Sequence, residues 1–266
     1  MAGITGSKAT IIFIVRTAIK LLGNLTKLLS YGVHFLAPGM RFKLPSYSPP
    51  LTTPIGEAKI PRVIWQTNFT AQVTLPLYLN YLFNRLMAPE YAYRFMVTAD
   101  RNDFIKNNFD HSTYDLYSRI QIGAAQADFW RLLVLYRLGG VYMDIDAHLV
   151  WPLEKILSGL KKDLYLKIKT GEISNYFIAS VPDNKNLRDL IERVCANIKS
   201  GASENVYDLT GPGVFNEVFK DRDVPMRYYL YTCNQGNFTN EYFQYVDKPQ
   251  GKWTKEQQKI DVVRRN

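Results

Sequence analysis

Residues 123–152, GAAQADFWRLLVLYRLGGVYMDIDAHLVWP, decide the fold, because they combine a helix, a glycine stop and a strand that leads into two aspartates. Residues 124–138 are apolar on nearly every side, which indicates a helix that lies inside a core. Gly139 and Gly140 follow directly. Glycine adopts the positive φ that ends a helix and turns the chain. A buried helix followed by a sharp turn into a strand is therefore predicted.

The strand that follows is predicted over 141–146, and its side chains alternate between two faces. Tyr142, Asp144 and Asp146 then share one face, opposite the apolar residues that enter the core. Two neighbouring carboxylates repel each other unless something neutralises them, and a hard divalent cation with oxygen ligands does so. Most Asp-x-Asp tripeptides are solvated turns, but the buried helix and strand ahead of this one favour a metal site.

Asp128 and Arg131 interrupt the apolar helix at a spacing of three residues, which places both on one face. Charged side chains are seldom buried unless they are paired. A guanidinium suits phosphates or vicinal hydroxyls, and a carboxylate suits a pair of hydroxyls. The pair is therefore a candidate ligand site beside the two aspartates, and the alternative interpretation is an ion pair on the protein surface.

Two runs carry a family resemblance: ADFWRLLVLYRLGGVYMDID over 127–146 and IPRVIWQT over 60–67. They resemble glycosyltransferase family 32, the DXD-motif sugar transferases. A weaker match is Thr-Gly-Pro over 210–212. The resemblance implies a GT-A type, Rossmann-like fold with a mostly parallel sheet flanked by helices. It also implies a nucleotide-sugar donor, retention of anomeric configuration, and Mn²⁺ or Mg²⁺ as cofactor.

The resemblance also assigns roles to residues of this chain. Asp146 binds the metal, and Asp144 reaches the ribose and the metal directly or through water. Asp128 hydrogen-bonds donor hydroxyls, and Arg131 reaches the sugar or the phosphates. Asn175 lies near the transferred sugar and is grouped with the two motif aspartates as catalytic. The remaining predicted donor-binding residues are Thr67, Asn68, Gly140, Tyr142 and Trp253.

Two positions depart from the family pattern. Asn68 stands where many members have a Trp that stacks on the base. The His-rich segment before a Ser-Trp pair is absent, and Trp253 is the nearest counterpart of that Trp. The sequence leaves the third metal ligand and the identity of the base, uridine or guanosine, open.

The chain has 266 residues, a length that fits a single folded domain. Its formal net charge is +9. Residues 1–56 contain six Lys or Arg and no Asp or Glu. Residues 9–36 form a helical pattern with a basic stripe and an apolar face, which predicts a helix that lies in a membrane surface. Packing on the catalytic domain or a second subunit is the alternative, and a diverged membrane anchor is a third. No nucleic-acid motif accompanies the basic charge, so nucleic acid is not a predicted partner.

The predicted organisation is a basic amphipathic helix over 1–36, a proline-rich linker over 37–59 and a catalytic domain over 60–266. Strands alternate with helices in that domain, which predicts an α/β sheet of mostly parallel strands. Further strands are predicted at 61–66, 91–97, 164–168, 176–180, 227–231 and 242–246. Further helices are predicted at 78–87, 101–108, 152–157, 186–198 and 214–219.

The predicted function is transfer of a hexose to a glycan or lipid-linked acceptor, in surface polysaccharide or lipopolysaccharide synthesis. One alternative is a phosphatase of the haloacid-dehalogenase type, in which Asp144 is the nucleophile and Asp146 the general acid. The other is a non-catalytic, membrane-bound sugar-binding protein. Asn68 lies in an Asn-x-Thr sequon at the presumed donor site, where a glycan would obstruct binding. This favours the cytoplasmic face of a bacterial inner membrane over a Golgi membrane.

Overall fold

A computed structural model describes residues 6–201 and 204–264 of the chain. Its strands, in chain order, are β1 (Phe42–Lys43), β2 (Tyr47–Ser48), β3 (Val63–Thr67), β4 (Gln72–Val73), β5 (Ala92–Met96), β6 (Gly140–Met143), β7 (Ala147–Leu149), β8 (Asp163–Lys167), β9 (Ile173–Ser180), β10 (Met226–Tyr228) and β11 (Cys233–Gln235). Its helices are α1 (Gly6–Leu36), α2 (Leu75–Met87), α3 (Thr98–Asn108), α4 (His111–Arg119), α5 (Gly123–Leu138), α6 (Leu153–Leu157), α7 (Lys185–Ser200), α8 (Val206–Leu209), α9 (Pro212–Val218), α10 (Glu241–Tyr245) and α11 (Trp253–Glu256).

A seven-stranded sheet in the order β10-β8-β9-β6-β3-β5-β2 forms the centre of the molecule. Five of its strands run in one direction, and β9 and β2 run against them. Two pairs of short strands, β1 with β4 and β11 with β7, lie outside it. The α/β fold with a mostly parallel sheet flanked by helices is therefore confirmed, and it agrees with the GT-A type that the resemblance implies.

Apolar side chains cover both faces of the central sheet. The alternation along β6 sends Tyr142 into the cluster that contains α5 and α7. Val141 and Met143 enter the opposite cluster with residues of α2. Helix α5 is buried nearly all round, which matches its apolar sequence. The residues that the alternation assigns to the core are therefore core residues.

The two glycines after α5 are required by the backbone. Gly139 has φ 65° and Gly140 has φ 105°, both in the region that L side chains avoid. A Cβ at Gly140 would lie 2.6 Å from Val63 Cγ1, and one at Gly139 would lie 2.8 Å from Pro182 Cδ. Only glycine lets the chain leave α5 and enter the sheet between β3 and β9.

Three predicted elements differ from the structure. The strand predicted over 141–146 ends at Met143, because Asp144 and Asp146 belong to a turn in which the Ala147 amide donates to the Asp144 carbonyl. The strand predicted over 227–231 ends at Tyr228 and continues as a short 3-10 turn. The strand predicted over 242–246 is helix α10, because the Asn240 side chain caps it by accepting from the Phe243 amide.

The proline-rich segment 37–59 contributes two strands of its own. β1 pairs with β4, and β2 adds an antiparallel edge to the central sheet beside β5. Leu44 is buried in the cluster that contains α2. The segment is extended, as its prolines predict, and it packs against the domain.

Helix α1 packs on the domain through its small and polar side. Ile19, Gly23, Thr26, Ser30 and His34 are buried. A Cβ at Gly23 would lie 2.4 Å from the Asn237 carbonyl oxygen, so the two backbones touch closely. The opposite side is apolar and exposed: Ile11, Ile14, Leu21, Leu22, Leu25, Leu28 and Leu29 are 45–70% accessible. Within the described part of the chain no helix is long and apolar enough to cross a membrane.

Candidate active site

A cleft of about 640 Å³ opens where β3 and β6 end and β9 begins. In sheets of this kind, ligands bind beyond the carboxyl ends of the parallel strands. Nine of the residues that line the cleft are predicted site residues: Thr67, Asn68, Asp128, Arg131, Tyr142, Asp144, Asp146, Asn175 and Trp253. The structure therefore brings together segments that are distant in sequence at the expected edge of the sheet.

The Asp-x-Asp turn is fixed by hydrogen bonds to its backbone. The Asp144 amide donates to the Tyr176 carbonyl at 2.9 Å, and Gln66 Nε2 donates to the Asp144 carbonyl at 3.1 Å. Asn80 Nδ2 donates to the carbonyls of Ile145 and Ala147, both at 2.9 Å. Backbone groups held in this way leave the two aspartate side chains free to face the cleft.

Asp144 and Asp146 converge on one donor, the Gln235 side chain. Gln235 Nε2 lies 2.9 Å from Asp144 Oδ2 and 3.2 Å from Asp146 Oδ1. Burial, and then the charge of Asp144, raise the pKa of Asp146 to about 7. Because burial and the neighbouring Asp144 charge disfavour the ionised form of Asp146, a cation beside this carboxylate would stabilise it.

Arg131 contacts several groups of the site at once. Its Nη2 lies 2.7 Å from Asp128 Oδ1 and 3.2 Å from Asp144 Oδ1. Its Nη1 donates to the Asn175 carbonyl at 2.7 Å, and its Cζ lies 4.3 Å from the centre of the Tyr142 ring. Burial opposes the charge, but Tyr142 and the surrounding carboxylates outweigh it and raise the pKa of Arg131. The guanidinium is therefore a permanent buried cation that orients its neighbours.

Asp128 is the other buried charge of the helix. Asn175 Nδ2 donates to its Oδ1 at 3.0 Å, and Thr210 Oγ1 donates to its Oδ2 at 3.4 Å. Burial raises the pKa of Asp128 to about 7, although the charge of Arg131 acts in the opposite sense. The surface ion pair that the sequence left as an alternative is excluded, since both side chains are at most 10% exposed.

The donor set fits a hard divalent cation. Two carboxylates point at one position, Tyr142 Oη donates to Asp144 Oδ1 at 2.7 Å, and the nearby Arg131 limits the negative charge. Within residues 6–201 and 204–264, no group of three or more His, Cys, Asp or Glu side chains is placed to hold a metal. Mg²⁺ is commonly held by one or two carboxylates, with phosphates and waters completing its shell, so two aspartates suffice.

One predicted residue, Gly140, lies elsewhere. It is buried against Val63 at the start of β6, at the opposite end of the strand from the Asp-x-Asp turn. Its requirement for glycine is explained by that packing. The other nine predicted residues line the cleft.

Several residues of the site have no predicted role. Gln66 belongs to the quoted 60–67 run, and Asn80 with Asn84 forms an i, i+4 pair of buried amides inside an apolar helix, which is a detectable signal. Gln235 lies about 90 residues after the aspartates in a polar stretch and carries no signal. Lys27 of α1 also lines the cleft, together with Lys248 and Lys252.

Residues 76–161 match the family model described as "Glycosyltransferase sugar-binding region containing DXD motif". This segment is similar to the sugar-binding region of DXD glycosyltransferases. It contains Asp128, Arg131, Asp144 and Asp146. The predicted family relationship is therefore confirmed over the segment that contains these four residues.

Two curated proteins are also similar to the chain. The initiation-specific alpha-1,6-mannosyltransferase of Schizosaccharomyces pombe is 24% identical over 201 residues, 62% of this chain and 49% of that protein. An uncharacterized glycosyltransferase of Acanthamoeba polyphaga mimivirus is 30% identical over 89 residues, 33% of this chain and 36% of that protein. The chain thus spans about half of the first relative and about a third of the second.

Two solved structures also resemble the chain. The PaToxG glycosyltransferase shares 16% identity and a TM-score of 0.48, with 79% of each chain covered. The UDP-bound glycosyltransferase domain from the YGT toxin shares 13% identity and a TM-score of 0.38, with 56% of this chain and 54% of that chain covered.

Proposed function

We propose that the protein is a metal-dependent glycosyltransferase that moves a hexose from a nucleotide-sugar donor to an acceptor hydroxyl. The observation that carries this proposal is the convergence of Asp144 and Asp146 on one position in the cleft, backed by Arg131. The match of residues 76–161 to DXD glycosyltransferases supports it. A phosphatase leaves that match unexplained, and donor turnover distinguishes a transferase from a protein that only binds sugar.

In the transfer, the bond between the anomeric carbon and the phosphate oxygen breaks, and the electron pair leaves with the diphosphate. A new bond forms to the acceptor oxygen, which loses its proton. Mn²⁺ or Mg²⁺ held by Asp144 and Asp146 would supply electrostatic stabilisation of the departing diphosphate. The resemblance implies retention of configuration at the anomeric carbon.

The other side chains bind and position. Asp128 Oδ2 carries only a long hydrogen bond from Thr210, so it is free to accept from a donor hydroxyl. Arg131 fixes Asp128, Asp144 and the Asn175 backbone in one arrangement. Lys27 offers a positive charge at the cleft wall, where a diphosphate would enter. Such preorganised charges contribute because they need no rearrangement during the reaction.

The experiment is release of nucleoside diphosphate from a panel of UDP- and GDP-hexoses in the presence of Mn²⁺. We expect turnover with one donor class, and a loss of about 100- to 1000-fold in Asp144→Asn and Asp146→Asn. Asp103→Asn, an exposed carboxylate of α3, is the matched control and should retain full activity. Hydrolysis of a phosphomonoester in place of sugar transfer would refute the proposal, as would donor turnover that survives both variants.

We also propose that α1 lies in a membrane surface, at the cytoplasmic face of a bacterial inner membrane, and that the acceptor is a membrane-linked glycan used in surface polysaccharide or lipopolysaccharide synthesis. Two observations support the placement of α1 in a membrane surface. The helix turns its exposed leucines and isoleucines away from the domain. Its basic residues Arg16, Lys20 and Lys27 form a separate stripe next to the domain and give the helix a net positive charge, and a basic amphipathic helix binds anionic bilayers.

Flotation with vesicles of phosphatidylcholine and phosphatidylglycerol tests this placement. The full chain should float with the vesicles, and Leu21→Gln, Leu25→Gln and Leu28→Gln in combination should leave most of it behind. Ile55→Gln, Leu86→Gln and Leu138→Gln remove exposed apolar side chains elsewhere and should leave flotation unchanged. Equal flotation of both triple variants would contradict the membrane role of α1.

A further inference from the structure

A second cavity of about 830 Å³ lies beside the cleft, between α1 and the domain. We call it the basic pocket. Arg16 and Lys20 line it from α1, and Lys169 lines it from the loop between β8 and β9. No Asp or Glu is among its lining residues. Three positive charges around one cavity define a site for an anion.

The positive charges of the basic pocket have no carboxylate partner within the described part of the chain. Neither Arg16, Lys20 nor Lys169 forms an ion pair with any residue that the structure describes. Arg16 Nε is buried and has no hydrogen-bond partner there. A buried donor without an acceptor is destabilising, and a bound anion would supply the missing acceptor.

The basic pocket also has an apolar part. Phe13 and Leu230 line it together with the Tyr229 ring. Phe13 is 64% exposed and leads from the pocket toward the apolar side of α1. A cavity lined by both cations and apolar side chains suits an amphiphile.

The basic pocket adjoins the cleft. Ser174, Tyr176 and Gln235 line both cavities. Gln235 is the residue that contacts Asp144 and Asp146. A molecule held in the basic pocket therefore ends next to the position where the donor sugar is proposed to react.

We propose that the basic pocket binds the phosphate of an anionic membrane lipid that carries the acceptor hydroxyl. This inference rests on the proposed function, because it places the acceptor relative to the donor. Arg16 supplies a planar fork that matches phosphate oxygens, and Lys20 and Lys169 supply point charges. The acyl chains leave past Phe13 toward the bilayer in which α1 lies. The donor diphosphate is assigned to the metal site on Asp144 and Asp146 in the cleft, and not to the basic pocket.

The test is isothermal titration of the full chain with soluble dihexanoyl phosphatidic acid, in the absence of any donor. We expect binding that weakens at least tenfold in Arg16→Gln, Lys20→Gln and Lys169→Gln combined. Lys161→Gln, Lys162→Gln and Lys220→Gln remove three exposed positive charges outside the pocket and should bind as the unmodified protein does. The double variant Lys20→Gln, Lys169→Gln changes only exposed side chains and should show a smaller loss, which separates weaker binding from misfolding.

Three outcomes would overturn the inference: equal affinity in the pocket variant and its control, equal affinity for dihexanoyl phosphatidylcholine, or equal affinity for inorganic phosphate. The last would show that the lipid chains contribute nothing. Nucleoside diphosphate release without acceptor should be unchanged in the pocket variant. Because binding is measured without donor, failure of the proposed transferase activity and failure of the basic pocket give different results.

Discussion

The cleft and the basic pocket share three lining residues, but they differ in the sign of their charged side chains and in how deeply the helices that carry them are buried. In the cleft, Asp128 and Arg131 extend from a helix that is buried nearly all round, and their charges are paired. In the basic pocket, Arg16 and Lys20 extend from a helix that contacts the domain along one narrow side. The residues proposed to bind the donor therefore belong to the buried core of the domain. The residues proposed to bind the acceptor lipid extend from a helix on its surface.

This difference has an energetic consequence. A buried charge that loses its partner is destabilising by several kcal/mol, because the remaining charge is left without compensation. An exposed lysine contributes little to stability. Substitutions in the cleft should therefore change both folding and activity, whereas substitutions in the basic pocket should change binding alone.

The largest expected effect is that of Arg131→Met. The variant keeps the length of the side chain but leaves Asp128 and Asp144 facing each other without a cation. We expect the free energy of unfolding in urea to fall by about 3–5 kcal/mol. Transfer activity should fall with it, because Asp144 loses its orientation.

Arg137→Met is the matched control, since Arg137 is an exposed residue of the same helix and makes no ion pair with the described residues. It should change stability by no more than about 0.5 kcal/mol. If the two variants lose the same free energy of unfolding, the charges of the cleft are not more important for stability than an exposed charge. That result would contradict the proposed difference between the cleft and the basic pocket.

The sequence predicts the central part of the fold because local rules and tertiary structure agree there. The apolar residues of α5, the two glycines and the alternation along β6 each have one physical meaning, and all three hold in the structure. Asp144 and Asp146 face the cleft together as predicted, although a turn places them there and not an extended strand. Nine of the ten predicted site residues line the cleft, and several of them, such as Asn175 and Trp253, are predicted from the family resemblance and not from a local pattern.

The rest depends on contacts that no local pattern contains. Gln235 reaches the aspartates only because β11 pairs with β7, far away along the chain. The segment 242–246 has the aromatic composition of a strand, but the Asn240 cap starts a helix. The amphipathic pattern of α1 predicts an apolar face, but it does not say that the small residues Gly23 and Ser30 would pack on the domain.

The smallest expected effect concerns the pH dependence of the cleft without metal. The folded-state pKa of Asp146 is raised to about 7 by burial and by Asp144. Between about pH 4 and pH 7 the folded protein then binds more protons at this group than the unfolded chain does, so its contribution to stability falls as pH rises. Asp146→Asn removes this titration. In EDTA we expect the variant to melt several degrees above the unmodified protein at pH 7.5, and at the same temperature at pH 4.5.

Mn²⁺ should reverse the order at pH 7.5, because the ionised carboxylate pair gains a cation that the variant binds less well. Asp103→Asn serves again as the control, and its melting temperature should follow the unmodified protein at both pH values. Differential scanning calorimetry measures all of these temperatures. A difference between Asp146→Asn and the unmodified protein that does not depend on pH would show that the two carboxylates do not compete for ionisation. In that case the cleft would not need a cation, and its contrast with the basic pocket would be one of location and not of chemistry.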